Sequence, residues 1–129
     1  MPEKNTPRPT DAELNILRAL WQRGPSTVRQ VQEQLQPERP AGYTTVLKLM
    51  QIMTAKGHLE RDESRRTHVY RPALAAEKTQ RQLVGDLLDR AFDGSAQKLV
   101  IQALSAKRVS AEELTQIRSL LDAIERKDP

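Results

Sequence analysis

The chain is 129 residues long, enough for one domain or for one compact domain joined to an oligomerisation element, with 37% hydrophobic and only 3% aromatic residues. So little apolar material gives a monomer a thin core and favours burial of further surface between subunits. The absence of cysteine excludes disulfides, thiolate metal sites and cysteine nucleophiles, while the lack of any apolar run of about 18 residues or a signal-like opening leads us to expect a soluble, cytoplasmic protein without membrane insertion.

Residues 1–9 carry three prolines and no apolar periodicity, and are expected to form a flexible arm. Thr10 with Glu13 makes a capping box for a first helix whose inward residues are Leu14, Leu17, Leu20 and Trp21, stopped at Gly24-Pro25. A second helix opens at Ser26 or Thr27, the latter with Gln30 at the box position, and turns Val28, Val31 and Leu35 inward. Pro37 and Pro40 bracket a break before a third helix over about 41–56, which ends at Gly57, a residue suited to a left-handed cap. In this helix Val46, Leu49, Met50 and Met53 form one stripe at i, i+3, i+4, i+7. Thr44, Lys48, Gln51 and Ala55 lie nearly opposite, flanked by Thr45 and Ile52, and that face has no acidic residue.

The period then changes. Residues 59–62 and 67–71 mostly alternate polar with apolar around the polar tip Glu63-Ser64-Arg65-Arg66, which predicts a two-stranded hairpin ended by Pro72, with His68 a strand residue. Three helices and a basic-tipped hairpin are the order of a winged helix-turn-helix, placed at 10–72. Residues 73–129 return to helical pattern. A helix over about 75–92 carries Val84, Leu87, Leu88 and Ala91; Gly94 breaks it, and Ser95 caps a helix with Leu99, Val100, Ala103 and Leu104. Ser110 and Glu113 open a last helix with Leu114, Ile117, Leu121 and Ile124. These single stripes have no sheet to cover, so a second copy is expected to bury them. The candidate dimerisation residues are Val84, Leu87, Leu88, Leu99, Val100, Leu104, Leu114, Ile117, Leu121 and Ile124. The expected fold class is mainly α, a winged helix-turn-helix followed by a helical dimerisation region.

The charge is uneven. Residues 1–72 hold twelve Lys/Arg against eight Asp/Glu, whereas 73–129 hold nine of each. A basic half joined to a neutral half suits a polyanion-binding module attached to a self-association module. Hydroxyls, an amide and a cation are the groups that bond base edges and phosphates in a DNA groove. The candidate DNA contacts are therefore Tyr43, Thr44, Thr45, Lys48 and Gln51 on the third helix, with Arg65 and Arg66 at the hairpin tip. Lys4, Arg8 and Arg39 are weaker candidates. A polar helix face is more often merely solvated, and the competing assignment is a winged-helix protein-interaction module that docks an acidic protein surface. His58 and His68 lack carboxylates at ligand spacing, and neither a nucleophile–base set nor a glycine-rich phosphate loop is present. No metal, no cofactor and no enzymatic activity are expected.

Several segments in order resemble the penicillinase and methicillin-resistance repressors (the BlaI/MecI/CopY type of bacterial transcriptional regulator). They are Ala19-Leu20-Trp21, Tyr43-Thr44-Thr45-Val46-Leu47, Lys56-Gly57-His58-Leu59-Glu60-Arg61, His68-Val69-Tyr70-Arg71-Pro72 and Leu99-Val100 after Gly94-Ser95. The resemblance runs from about Thr10 to Ile124. It implies a homodimer that binds a palindromic operator and represses transcription, with Thr44, Thr45 and Lys48 at recognition-helix positions and the wing arginines on the DNA backbone. It also implies relief by a membrane sensor protease, or its signal, cutting in the dimerisation region. Two departures stand out. The family's cleavable Asn-Phe pair aligns with Gln102-Ala103, and the C-terminal cysteines of the copper-responsive branch are missing, which excludes copper sensing.

Overall fold

A computed structural model of the chain describes residues 7–35 and 41–127. Most of the expected arm, with Lys4, and the segment holding Pro37, Arg39 and Pro40 lie outside the described residues. The elements in order are α1 (Asp11–Arg23), α2 (Val28–Leu35), α3 (Tyr43–Lys56), β1 (Leu59–Asp62), β2 (Val69–Pro72), α4 (Ala76–Ala91), α5 (Ala96–Ala106) and α6 (Ala111–Lys127). The winged helix-turn-helix order is present, and the chain is mainly α.

Local cap chemistry sets the helix starts. The Glu13 backbone N–H donates to Thr10 Oγ1 at 3.2 Å and the Thr10 N–H donates to Glu13 Oε1 at 3.0 Å, so two otherwise unpaired donors of α1 are satisfied reciprocally. Thr27 and Gln30 repeat the arrangement ahead of α2 at 3.2 and 2.9 Å. Ser95 Oγ accepts from the Lys98 N–H and Ser110 Oγ from the Glu113 N–H, opening α5 and α6. At the end of α3, Gly57 takes φ 92°, where a side chain would be strained, and its N–H closes onto the carbonyls of Met53 and Thr54.

The core joins α1, α2, α3 and the hairpin. Val46, Met50 and Met53 are each 0% exposed, and burying a side chain of this kind stabilises by about 1.5–3 kcal/mol. Leu49, expected in the same stripe, is only half-buried. In α1 the buried side chains are Ile16, Leu17, Ala19 and Leu20, whereas Leu14 and Trp21 are half-buried. The physical reason is a second neighbour: Leu14, Arg18 and Trp21 line a groove of about 380 Å³ with Ala76, Gln80 and Leu83 of α4.

The hairpin is antiparallel, with Leu59 opposite Pro72, Glu60 opposite Arg71, Arg61 opposite Tyr70 and Asp62 opposite Val69. Asp62 Oδ1 accepts the Ser64 N–H at 2.9 Å and starts the turn early. The second strand therefore begins at Val69 rather than Thr67, and His68 falls just outside it. Nor does β1 alternate: Leu59 is buried and Glu60, Arg61 and Asp62 are exposed. The hairpin is tied to the helices through Ser26, whose N–H donates to the Tyr70 carbonyl at 2.9 Å and whose carbonyl accepts the Tyr70 N–H at 2.8 Å. That pairing gives an otherwise marginal two-stranded unit a third short edge.

The chain divides into two compact units, one up to Val84 and one from Gly85. The division lies within α4, where Ala76 and Leu83 share a groove with Leu14, Arg18 and Trp21 of α1.

Candidate nucleic-acid interface

Because its inner residues are fully buried, α3 must present its opposite face outward. Thr44, Thr45, Lys48 and Gln51 are all exposed there, as are Tyr43 and Ile52. Gly42 caps α3 without a side-chain hydrogen bond and its first turn has no acidic residue, so the start of this helix stays electropositive. Leu47 is half-buried and packs against the core. One feature of this edge was invisible in the sequence: the Arg29 guanidinium of α2 lies 5.3 Å from the centroid of the Tyr43 ring, within cation–π range.

The wing spends its acidic residues internally. Arg71 Nε donates to Glu60 at 3.1 Å across the strands, Arg61 Nε donates to Glu63 at 2.6 Å, and Asp62 takes up the turn N–H. Backbone and side-chain hydrogen bonds from Ser64 hold the Asp62 carboxyl below its ordinary value. Arg65 and Arg66 are left as the exposed cations of the tip.

Behind this face a buried ion pair fixes the end of α3 to the start of α1. Lys56 Nζ donates to both carboxylate oxygens of Glu13 at 2.9 and 2.8 Å, and Glu13 is only 3% exposed. Burial alone would raise the Glu13 carboxyl. The Lys56 and Thr10 hydrogen bonds with the nearby positive charge outweigh it, and the pKa lies below 4.5. His58, on the turn into the wing, is buried beside them, and its Nε2 has no hydrogen-bond partner among the described residues. Burial lowers its pKa, and the raising effect of Glu13 does not restore it. Among the described residues, no group of three or more His, Asp or Glu is placed to hold a metal ion.

The helices α4–α6 leave apolar side chains open in the single chain. Val84, Leu87, Val100, Leu104, Leu121 and Ile124 are exposed, while Leu88, Leu99, Leu114 and Ile117 are half-buried. Ile101 at 50% and Leu120 at 59% exposure belong with them and were missed, because each lies beside rather than on the stripe chosen by helical spacing.

A sequence model of the penicillinase repressor family matches residues 9–123, nearly the full chain. The chain belongs to the penicillinase repressor family. Transcriptional regulator BlaI of Mycobacterium tuberculosis is 33% identical over 117 residues, covering 89% of this chain and 83% of that protein. The penicillinase repressor of Bacillus licheniformis is 22% identical over 119 residues, covering 92% and 93%. Among solved structures, a transcriptional regulator from Thermotoga maritima aligns with TM-score 0.47 at 20% identity, over 93% of this chain and 79% of that one. Family membership makes the chain a transcriptional repressor rather than an enzyme. Among the described residues, no helix is long and apolar enough to cross a membrane. Gln102 and Ala103 are exposed in the middle of α5.

Proposed function

We propose that this penicillinase repressor family member represses transcription by binding duplex DNA as a homodimer at a palindromic operator, in the bacterial cytoplasm. The observation that carries the reading is the two-sidedness of α3: Val46, Met50 and Met53 are wholly buried while Thr44, Thr45, Lys48 and Gln51 are exposed without a carboxylate among them. Those four side chains read base edges, Tyr43 sits at the groove entrance, and Arg65 and Arg66 neutralise phosphates. Residues 73–129 act as the dimerisation region, the exposed apolar side chains of α4–α6 meeting a twin subunit. Two-fold symmetry then sets half-sites about 10 bp apart, or a multiple of that.

Relief of repression through a membrane-protease signal belongs to the same proposal. A protease needs extended backbone, so cutting between Gln102 and Ala103 requires local opening of α5. Fragments split at that bond in induced cells support this route, and an intact chain in induced cells refutes it.

The test of the DNA reading is a salt titration of duplex binding by the intact protein. The two wing arginines of each protomer, four phosphate contacts in the dimer, predict a slope of log affinity on log salt of about −4 or steeper. A protein that binds no duplex at low salt refutes the reading and leaves α3 to dock an acidic protein surface instead.

A further inference from the structure

The geometry points to a second backbone-phosphate site beside the recognition helix, in the cleft between the start of α2 and the wing loop. The cleft has a volume of about 510 Å³. Arg29 and Tyr43 form one wall and Arg66, Thr67 and His68 another, with Thr27 at the foot of α2. Among the described residues no carboxylate lines it, so the fixed charges they turn to the space are positive. Arg29 is the informative member. Its guanidinium lies over the Tyr43 ring at 5.3 Å, with no acidic partner among the described residues. A cation held by a π face keeps its full charge and its outward N–H donors for an anion. Thr67 adds a hydroxyl.

The ligand chemistry is a phosphate group, and its source is the DNA backbone. Tyr43 belongs to the first turn of α3 and Arg66 to the wing tip, the two elements placed on the duplex under the proposed function, on which this inference rests. A strand that reaches both passes over the cleft between them. Arg29 is thereby a contact residue outside the recognition helix, one that positions the duplex without reading its sequence.

Arg29→Ala and Arg29→Lys, compared with the unaltered protein over salt from about 50 to about 200 mM, test it. Arg29 is exposed, so the variants keep their helical spectrum and melting temperature. Arg29→Ala is expected to bind every duplex about tenfold more weakly, with the salt slope reduced by about one unit per protomer. Arg29→Lys keeps the slope but loses part of the affinity, because an ammonium cannot stack and fork as a guanidinium does. An Arg29→Ala protein with unaltered affinity and slope overturns the inference, as does one with changed base preference. If inorganic phosphate at matched ionic strength raises the melting temperature of the unaltered protein but not of Arg29→Ala, while both bind DNA equally, the cleft serves a small phosphate ligand and the DNA source is refuted. Failure of the unaltered protein to bind any duplex is a separate result and removes the α3 reading beneath.

Discussion

Removal of the Lys56 ammonium tests whether the buried pair behind α3 is what holds that helix in place. In Lys56→Ala the Glu13 carboxylate, 3% exposed, keeps the Thr10 N–H at 3.0 Å and loses both ammonium contacts. An unpaired buried charge costs about 3–5 kcal/mol. The Lys56 side chain is 29% exposed, so water reaches the vacated position and the expected loss is nearer about 2–3 kcal/mol at pH 7. The pH dependence follows from the Glu13 shift. With Lys56 present the folded pKa lies below 4.5, so the carboxylate contributes stability above 4.5 that is lost as pH falls through the folded value. Without Lys56 burial dominates, the folded pKa rises above 4.5, and protonation relieves the penalty as the solution is acidified. The gap between the two proteins should therefore be widest near pH 7 and narrow on approach to 4.5. Urea unfolding at several pH values, at fixed protomer concentration because a dimer's stability depends on it, measures both quantities. A loss under about 0.5 kcal/mol at pH 7, typical of an exposed pair, or a gap that does not narrow, refutes the reasoning.

Arg65→Ala should weaken binding to all duplexes alike and reduce the salt slope by about one unit per protomer, and a change in base preference in a binding-site selection would contradict the backbone assignment. Leu121→Asp places a charge in the proposed subunit contact and should sediment as a monomer with weak DNA binding; a variant that remains dimeric removes Leu121 from the interface. Burial holds His58 below 6.5 in the folded chain, so the unfolded chain takes the proton first and stability falls as pH drops from 6.5 toward the folded value. His58→Gln should flatten that part of the stability curve, and an unchanged curve would show that His58 does not contribute.

What was legible in the sequence was local. Thr10 with Glu13 and Thr27 with Gln30 act over three residues, so their caps could be read directly, as could the left-handed cap at Gly57 and the Ser95 and Ser110 starts. The two faces of α3 followed from periodicity, since three of its four inward residues are fully buried. What escaped depends on distant neighbours. Glu13 was visible as a cap residue, but its pairing with Lys56 joins positions 43 apart and carries no periodic signal. The Ser26–Tyr70 backbone pairing and the stacking of Arg29 on Tyr43 are of the same kind. The inward face of α1 was displaced because α4 claims Leu14 and Trp21, a competition that one helix's spacing cannot reveal. The early turn at Asp62, which excludes His68 from β2, depends on one side-chain hydrogen bond.

The affinity ratio of Lys48→Ala for a selected operator over random duplex bears most directly on the outward face of α3. Lys48 is exposed, so the variant should fold and dimerise normally. Loss of a base-edge contact worth about 1–3 kcal/mol in each half-site should lower the operator affinity by at least tenfold while random-duplex affinity falls far less. An unchanged ratio would mean that this face of α3 does not read DNA.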